Sequence, residues 1–518
     1  MPRGTSRRLP RALTLAAAGC GLLAAVPLIY LVVRVATAGP ESLAATLSRP
    51  RLADLLLNSL LLTTAVTATA VVIGVPIAWA LARARLPWRN GWAALAALPL
   101  AVPSYVAAYG WLAAFPAMTG FWAAWFVLSL VGIPYVVLPA TAALRSATTD
   151  LDDVARSLGR GPLGAFMAGT LPQIRPAVLS GALLVALYTL SDFGGVALFR
   201  FQVFTTAIHR AYAASFDRDY AAILATILML VALLIVVGEQ LTRRQSRHGN
   251  NGSHRRSAPV RLGAWTVPAC AGLVVVPLLT AGVPVAALVV RWAQAADMAA
   301  IDPARFAAAL GNTVALSAGG ALIALGLATP IAILSARHSG RRVRLLEVLG
   351  ALPLGLPGIV VGLSLVFVSL KIVPWWYQSA GVLAFAYGVL FLPKAIGGVR
   401  SAVAQVPTEL EDVARSLGGS RARVWWEVTA RLASPGAAAA ALLVAVTAMK
   451  ELPATLMLRP TGTNTLATEL WSRTDIAAYG ASAPYALALL AVAAVPAFIL
   501  SQQRPRASDP TGATPSAS

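Results

Sequence analysis

Charge is scarce in this chain. Only 12% of its 518 residues are Asp, Glu, Lys or Arg, against roughly 25% in soluble domains. Hydrophobic residues make up 58% and the mean hydropathy is +0.73, a composition suited to lipid rather than water. Lysine is almost missing: of 41 basic residues, only Lys371, Lys394 and Lys450 are lysines. None of them follows a Gly-x-x-x-x-Gly pattern, in which backbone amides and an ammonium hold nucleotide phosphates, so the chain carries no P-loop. The two cysteines, Cys20 and Cys270, lie in apolar stretches and read as small buried hydrophobes, not as a disulfide or metal site. The four histidines (His209, His248, His254, His338) fall outside the apolar spans, which leaves no credible Ser-His-Asp arrangement. Neither catalysis nor a cofactor is expected, and no metal site is assigned.

What is present is apolar length. Runs long enough to span a bilayer lie near 12–33, 55–82, 92–115, 121–144, 177–199 and 220–242. Six more follow near 263–290, 308–336, 345–370, 376–399, 436–458 and 481–501. The first run follows Arg3, Arg7, Arg8 and Arg11 and is too long for a signal-peptide core, despite Ala36-Thr37-Ala38 after it; it reads as an uncleaved span. Residues 243–262 are polar and Arg-rich, a linker between halves, and 503–518 read as a disordered tail. With twelve spans and both termini cytoplasmic, most of the Lys and Arg fall on the cytoplasmic side. That bias accounts for the net charge of +21 without any nucleic acid.

The chain is duplicated. Leu151–Gly159, Leu-Asp-Asp-Val-Ala-Arg-Ser-Leu-Gly, returns 259 residues later as Leu410–Gly418, Leu-Glu-Asp-Val-Ala-Arg-Ser-Leu-Gly. Before it, Asn58, Pro76, Arg83, Pro99 and Pro103 match Asn312, Pro330, Arg337, Pro353 and Pro357 at an offset of 254. After it, Asp192, Arg200 and Tyr220 match Glu451, Arg459 and Tyr479 at 259. Six spans per half give both copies one orientation. The expected architecture is therefore all-α and membrane-integral, with about twelve helices in two parallel repeats (1–242 and 263–502) and a pathway between them.

Each repeated loop has the grammar of a short amphipathic helix. Thr149 or Asp150 is placed to cap the first, and Thr408 with Glu411 spells a capping box in the second. Acids fill the first turns (Asp152, Asp153; Glu411, Asp412), and Gly159 and Gly418 stand where a helix stops. Leu151, Val154, Ala155 and Leu158 form one apolar stripe; Leu410, Val413, Ala414 and Leu417 form the other. Such a helix suits either a lipid surface or a docking cleft.

Asp153-Val154-Ala155, Gly159 and Leu171-Pro172, and again Asp412-Val413-Ala414 and Gly418, resemble the "EAA" loop of binding-protein-dependent ABC importer permeases. The resemblance implies the type I importer (MetI-like) fold. It also implies coupling loops near 149–176 and 408–435, with Asp153, Ala155, Gly159, Asp412, Ala414 and Gly418 engaging a dimer of separate ATPase subunits. An extracytoplasmic solute-binding protein would dock near 201–219 and 460–478. The second loop departs from the pattern: Ala430-Arg431 replace Leu-Pro, although Pro435 matches Pro176.

Two carboxylates lie within spans, Asp192 and its repeat mate Glu451, each near a helix breaker (Gly194-Gly195; Pro453). As hard oxygen ligands they suit a cation pathway; as neighbours of Lys450 or another helix they suit packing or gating. Ser191-Asp192-Phe193-Gly194 and Met449-Lys450-Glu451-Leu452-Pro453 resemble the ferric-iron uptake branch of these permeases. Similar segments occur in fused permeases for thiamine or aminophosphonates. One alternative is a secondary transporter, in which the doubled loop has no purpose; another is a membrane-embedded enzyme or signalling protein, against which stands the lack of paired catalytic groups at one membrane face.

Overall fold

The structure, a computed structural model, describes residues 10–213, 217–245, 260–294, 302–475 and 478–502. Most of the expected linker and the whole expected tail lie outside the described residues, as do His248 and His254. The first half comprises α1 (Arg11–Thr37), α2 (Gly39–Leu47), α3 (Pro50–Arg83), α4 (Arg89–Ala97), α5 (Ser104–Ala114) and α6 (Gly120–Ser146). There follow α7 (Asp150–Ser157), α8 (Pro162–Ala165), α9 (Leu171–Ser191), α10 (Gly194–Leu198), α11 (Phe204–Ala213) and α12 (Arg218–Gln245). A π-helical turn, Phe166–Thr170, joins α8 to α9.

The second half begins with α13 (Thr266–Pro277), α14 (Val283–Gln294), α15 (Pro303–Arg337), α16 (Arg341–Ala351), α17 (Gly358–Ile372), α18 (Ala380–Leu390) and α19 (Leu392–Ala404). It ends with α20 (Thr408–Ser416), α21 (Arg421–Val424), α22 (Arg431–Met449), α23 (Pro453–Leu458), α24 (Leu466–Asp475) and α25 (Tyr479–Gln502). A second π-turn, Trp425–Ala430, leads into α22. Among the described residues the one extended pairing is an isolated parallel bridge, Ala84 to Val260, which ties the returning linker to the end of α3.

Among the described residues, eight continuous helices are long and apolar enough to cross a membrane, three bent pairs add three more, and Gly480–Ala494 is a shorter apolar helix at the twelfth position. Eleven of the about twelve expected spans are thus met by length and composition, and several boundaries differ from expectation. The fifth and eleventh spans run over 162–191 and 422–449 instead of 177–199 and 436–458. Their polar approaches are already helical, and they stop where Asp192 turns extended and where Lys450-Glu451 precede Pro453. The third and ninth spans bend by 87° and 105°. The bends fall at Val102-Pro103 and Leu356-Pro357, because a residue before proline is forced out of the helical region. The tenth span bends by 61° at Phe391, ahead of Pro393.

The halves exchange their first spans. Helix α1 packs on α15, α16 and α17 of the second half, and α14 packs on α5 of the first. Gly110 of α5 lies so close to Pro284 that a Cβ would collide with it, while Arg291 Nε donates to the Ala113 carbonyl at 2.9 Å. Trp111 Nε1 donates to the Leu279 carbonyl at 3.1 Å across the same seam. Cys20 and Cys270 are free and half-buried, less enclosed than their apolar setting suggested.

Candidate functional site: a cavity between the halves and two matched surface helices

The bends at Pro103 and Pro357 aim the starts of α5 and α17 at the breaks after α9 and α22. Around this meeting lies a cavity of 270 Å³ lined from both halves, with Asp192, Glu451, Lys394 and Lys450 among its walls. The structure thus brings the two sequence-flagged carboxylates to one space. Both are engaged. Asp192 Oδ2 accepts from Ser104 Oγ, and its Oδ1 accepts from the Val196 N–H at 3.1 Å. Glu451 Oε1 accepts from the Ala454 N–H at 3.0 Å. Each carboxylate therefore supplies the acceptor that the free N–H groups of a short helix (α10, α23) need. The Thr205 and Thr455 hydroxyls donate to the main-chain carbonyls of Asp192 and Glu451, at 2.6 and 2.7 Å.

The two braces are built to different lengths. Ser104 and Gly358 occupy equivalent places at the starts of α5 and α17. Where the acid is Asp, the neighbour is a serine that donates to it. Where the acid is the longer Glu, the neighbour is a glycine, and a Cβ there would fall on the Glu451 carboxylate. Nothing in the one-dimensional sequence links residues so far apart; only the offset between repeats marks them as a set.

Phe193 lines this cavity and also a second one of 670 Å³ toward the opposite end from α7 and α20. It is 2% exposed. The rings of His209 and Trp471 pack against it, at 4.8 and 5.1 Å between centroids. His209 and Trp471 are each the sixth residue of their helices, α11 and α24, so one aromatic wall separates the cavities at a place both halves reach equally. The segments 201–219 and 460–478 are therefore more than open loops. Each carries a helix with a buried face, anchored by Phe204 N–H to Ser59 Oγ and by Leu466 N–H to Thr313 Oγ1.

Helices α7 and α20 occupy the repeated loops. Both end in full Schellman motifs. Gly159 and Gly418 take φ of +81° and +87°, and their N–H groups reach the Arg156 and Arg415 carbonyls. The next N–H groups, of Arg160 and Gly419, reach the Ala155 and Ala414 carbonyls at 3.1 Å. Leu151, Val154 and Leu158 are exposed, as are Leu410, Val413 and Leu417, so the large side chains of each stripe are bare, while Ala155 is buried and Ala414 half-buried. Asp153 is exposed, and Asp412 pairs with Arg415.

The expected caps are absent. Neither Thr149 nor the residue before α20, Pro407, makes a side-chain cap, and Thr408 is already the first helical residue. Glu411 turns instead to the body of the protein, accepting from Arg337 at 2.7 Å and from Thr429 Oγ1 at 2.9 Å. Its mate Asp152 accepts from Thr170 Oγ1 at 2.5 Å. Thr170 and Thr429 both sit in the π-turns that open the next span, and both exits share this geometry although Leu-Pro is missing from the second. Arg83 and Arg337, at the ends of α3 and α15, also donate to the Ala147 and Val406 carbonyls at 2.8 and 3.0 Å. Sequence reasoning singled out the exposed acids Asp153 and Asp412; Asp152 and Glu411 are the ones that fasten the helices. Their signal was the repeated Arg and Thr at matching offsets.

The profile of the family described as binding-protein-dependent transport system inner membrane component matches residues 42–247 and 328–509. The chain belongs to that family. Among its relatives is the Fe(3+)-transport system permease protein FbpB 2 of Haemophilus influenzae, 33% identical over 95% of this chain and 98% of the relative. The molybdenum transport system permease protein ModB of Mycobacterium tuberculosis is 31% identical over 44% of this chain and 93% of its own length. The sulfate transport system permease protein CysT of Escherichia coli is 26% identical over 34% of this chain and 71% of its own. This permease is thus a multi-pass membrane component that works with a solute-binding protein and an ATPase, and is not itself the ATPase.

Proposed function

We propose that this permease is the translocation subunit of an ATP-driven importer of ferric iron in a bacterial inner membrane. The observation that supports the ATP-driven reading best is the pair of matched helices, α7 and α20, each with bare large apolar side chains and a hinge-like glycine end. A dimer of ATPase subunits grips them from the cytoplasm, the side to which charge bias assigns both termini. Asp153, Ala155 and Gly159, with Asp412, Ala414 and Gly418, form the gripped elements: the acids at the exposed rim, the Ala carbonyls and Gly amides in the helix ends. An extracytoplasmic binding protein docks at the end that carries α11 and α24. Iron as cargo rests on the relative that matches over nearly the whole chain. Asp192 and Glu451 line the pathway as braces for α10 and α23. The units run over 1–242 and 263–502, with 243–262 as linker and 503–518 as tail.

Uptake by proteoliposomes holding this chain, its ATPase and its binding protein tests the reading. ATP-dependent accumulation of Fe³⁺, but not of thiamine or an aminophosphonate, is expected; uptake driven by an ion gradient without ATP would overturn it. In the same system Gly159→Val and Gly418→Val are expected to lower uptake while ATP hydrolysis continues. Space around both glycines is open, so the effect comes from the left-handed backbone alone, about 1–2 kcal/mol for a residue with a Cβ.

A further inference from the structure

Two of the three lysines in the chain line the cavity between the halves. Elsewhere the basic residues are almost all arginine, so lysine here is a departure from the chain's habit. Both come from the second half. Their mates in the first, Tyr135 and Ser191, line the same cavity and are neutral, so the repeat did not impose the charge. Asp192 and Glu451 brace α10 and α23; Glu451 attracts Lys394 through space, but among the described residues no direct ion pair joins either lysine to an acid. Lys450 Nζ donates to the Leu100 carbonyl at 2.9 Å, and Lys394 Nζ donates to Thr447 Oγ1 at 3.3 Å. An ammonium has three donors, so among the described residues each lysine keeps two N–H groups without a protein acceptor. Lys394 is exposed at the cavity wall and lies 5.3 Å from the Phe391 ring centroid, which holds it without neutralising it.

We propose that the cavity binds cargo through an oxyanion, with Lys394 and Lys450 as an ammonium pair for anionic oxygens. This deepens the ferric-iron reading and rests on it: the ion crosses with phosphate- or carboxylate-type ligands around it. A bare trivalent cation placed against the two ammoniums is repelled by them. Among the described residues, no group of three or more His, Cys, Asp or Glu is placed to hold the naked ion. Wrapped in hard oxygen ligands, the ion presents a negative surface, which the four free N–H groups match.

The test uses the complete transporter in proteoliposomes, supplied with radioiron and radiolabelled orthophosphate or citrate. ATP-dependent entry of one labelled anion together with iron is the expected result. Lys394→Gln lowers that uptake about tenfold, the scale of a lost charge-assisted hydrogen bond, and Lys394→Arg restores most of it. Lys450→Gln provides the second variant, with assembly checked by ATPase co-purification because Lys450 also ties the halves together at Leu100. Iron entering with neither label, or unchanged uptake in Lys394→Gln, overturns the proposal and leaves the iron reading standing. Uptake of the labelled anion without iron supports the ammonium pair and overturns iron as cargo.

Discussion

Glu411→Gln is expected to leave ATP hydrolysis running while uptake falls more than tenfold. The side chains of Glu411 and Arg337 are 16% and 15% exposed, and they form a contact that joins helix α20 to the end of α15 by charge. Glutamine keeps the size but not the charge, so Arg337 is left half-buried and uncompensated, a loss of roughly 1.5–3 kcal/mol. Helix α20 keeps its Schellman end and its apolar stripe, so ATPase docking survives. What is lost is the fastening to the span that must move with it. The measurement is ATP hydrolysed per solute imported. Asp152→Asn is expected to do less, because Asp152 is bonded through Thr170 and not by an arginine hydrogen bond. An unchanged ratio in Glu411→Gln would show that force passes through the apolar stripe alone.

The second large effect concerns the braces. Gly358→Ser is expected to abolish transport and lower thermal stability, because the new Cβ occupies the place of the Glu451 carboxylate. Moving that carboxylate strips the Ala454 N–H of its acceptor, about 1–3 kcal/mol for one buried group. Pairing the change with Glu451→Asp recreates the arrangement that Ser104 and Asp192 already hold in the first half. The double variant is therefore expected to recover much of the stability and part of the uptake. A double variant no better than the single one would mean that the two sites are not interchangeable in shape. Melting temperature in detergent and uptake in proteoliposomes read the two consequences separately.

The duplication, the span count and the two surface helices were legible because they are local or periodic. A nine-residue copy and an apolar run of spanning length survive in one dimension. Direction is a different matter. The runs at 92–115 and 345–370 read as straight, yet Pro103 and Pro357 turn them sharply and thereby create the cavity. Hydropathy also started the fifth and eleventh spans late, near 177 and 436, because the helices begin at 162 and 422 on polar turns, where Gln173 closes on the Thr148 backbone. The capping box at Thr408 and Glu411 failed for a tertiary reason, since Arg337 competes for the same carboxylate. The matching of Ser104 with Asp192 and of Gly358 with Glu451 was illegible, because it depends on two elements approaching through space.

The exchanged first spans bear on how the molecule is made. Helix α1 leaves the ribosome early, but the surface it fits belongs to α15–α17, which emerge hundreds of residues later. Until then one of its faces meets only lipid. Quality control therefore has a waiting intermediate to monitor, and a message truncated at the linker yields a half with a docking face and no dock. Keeping both halves on one polypeptide guarantees that the missing partner always arrives, in a ratio of one to one and on the same stretch of membrane.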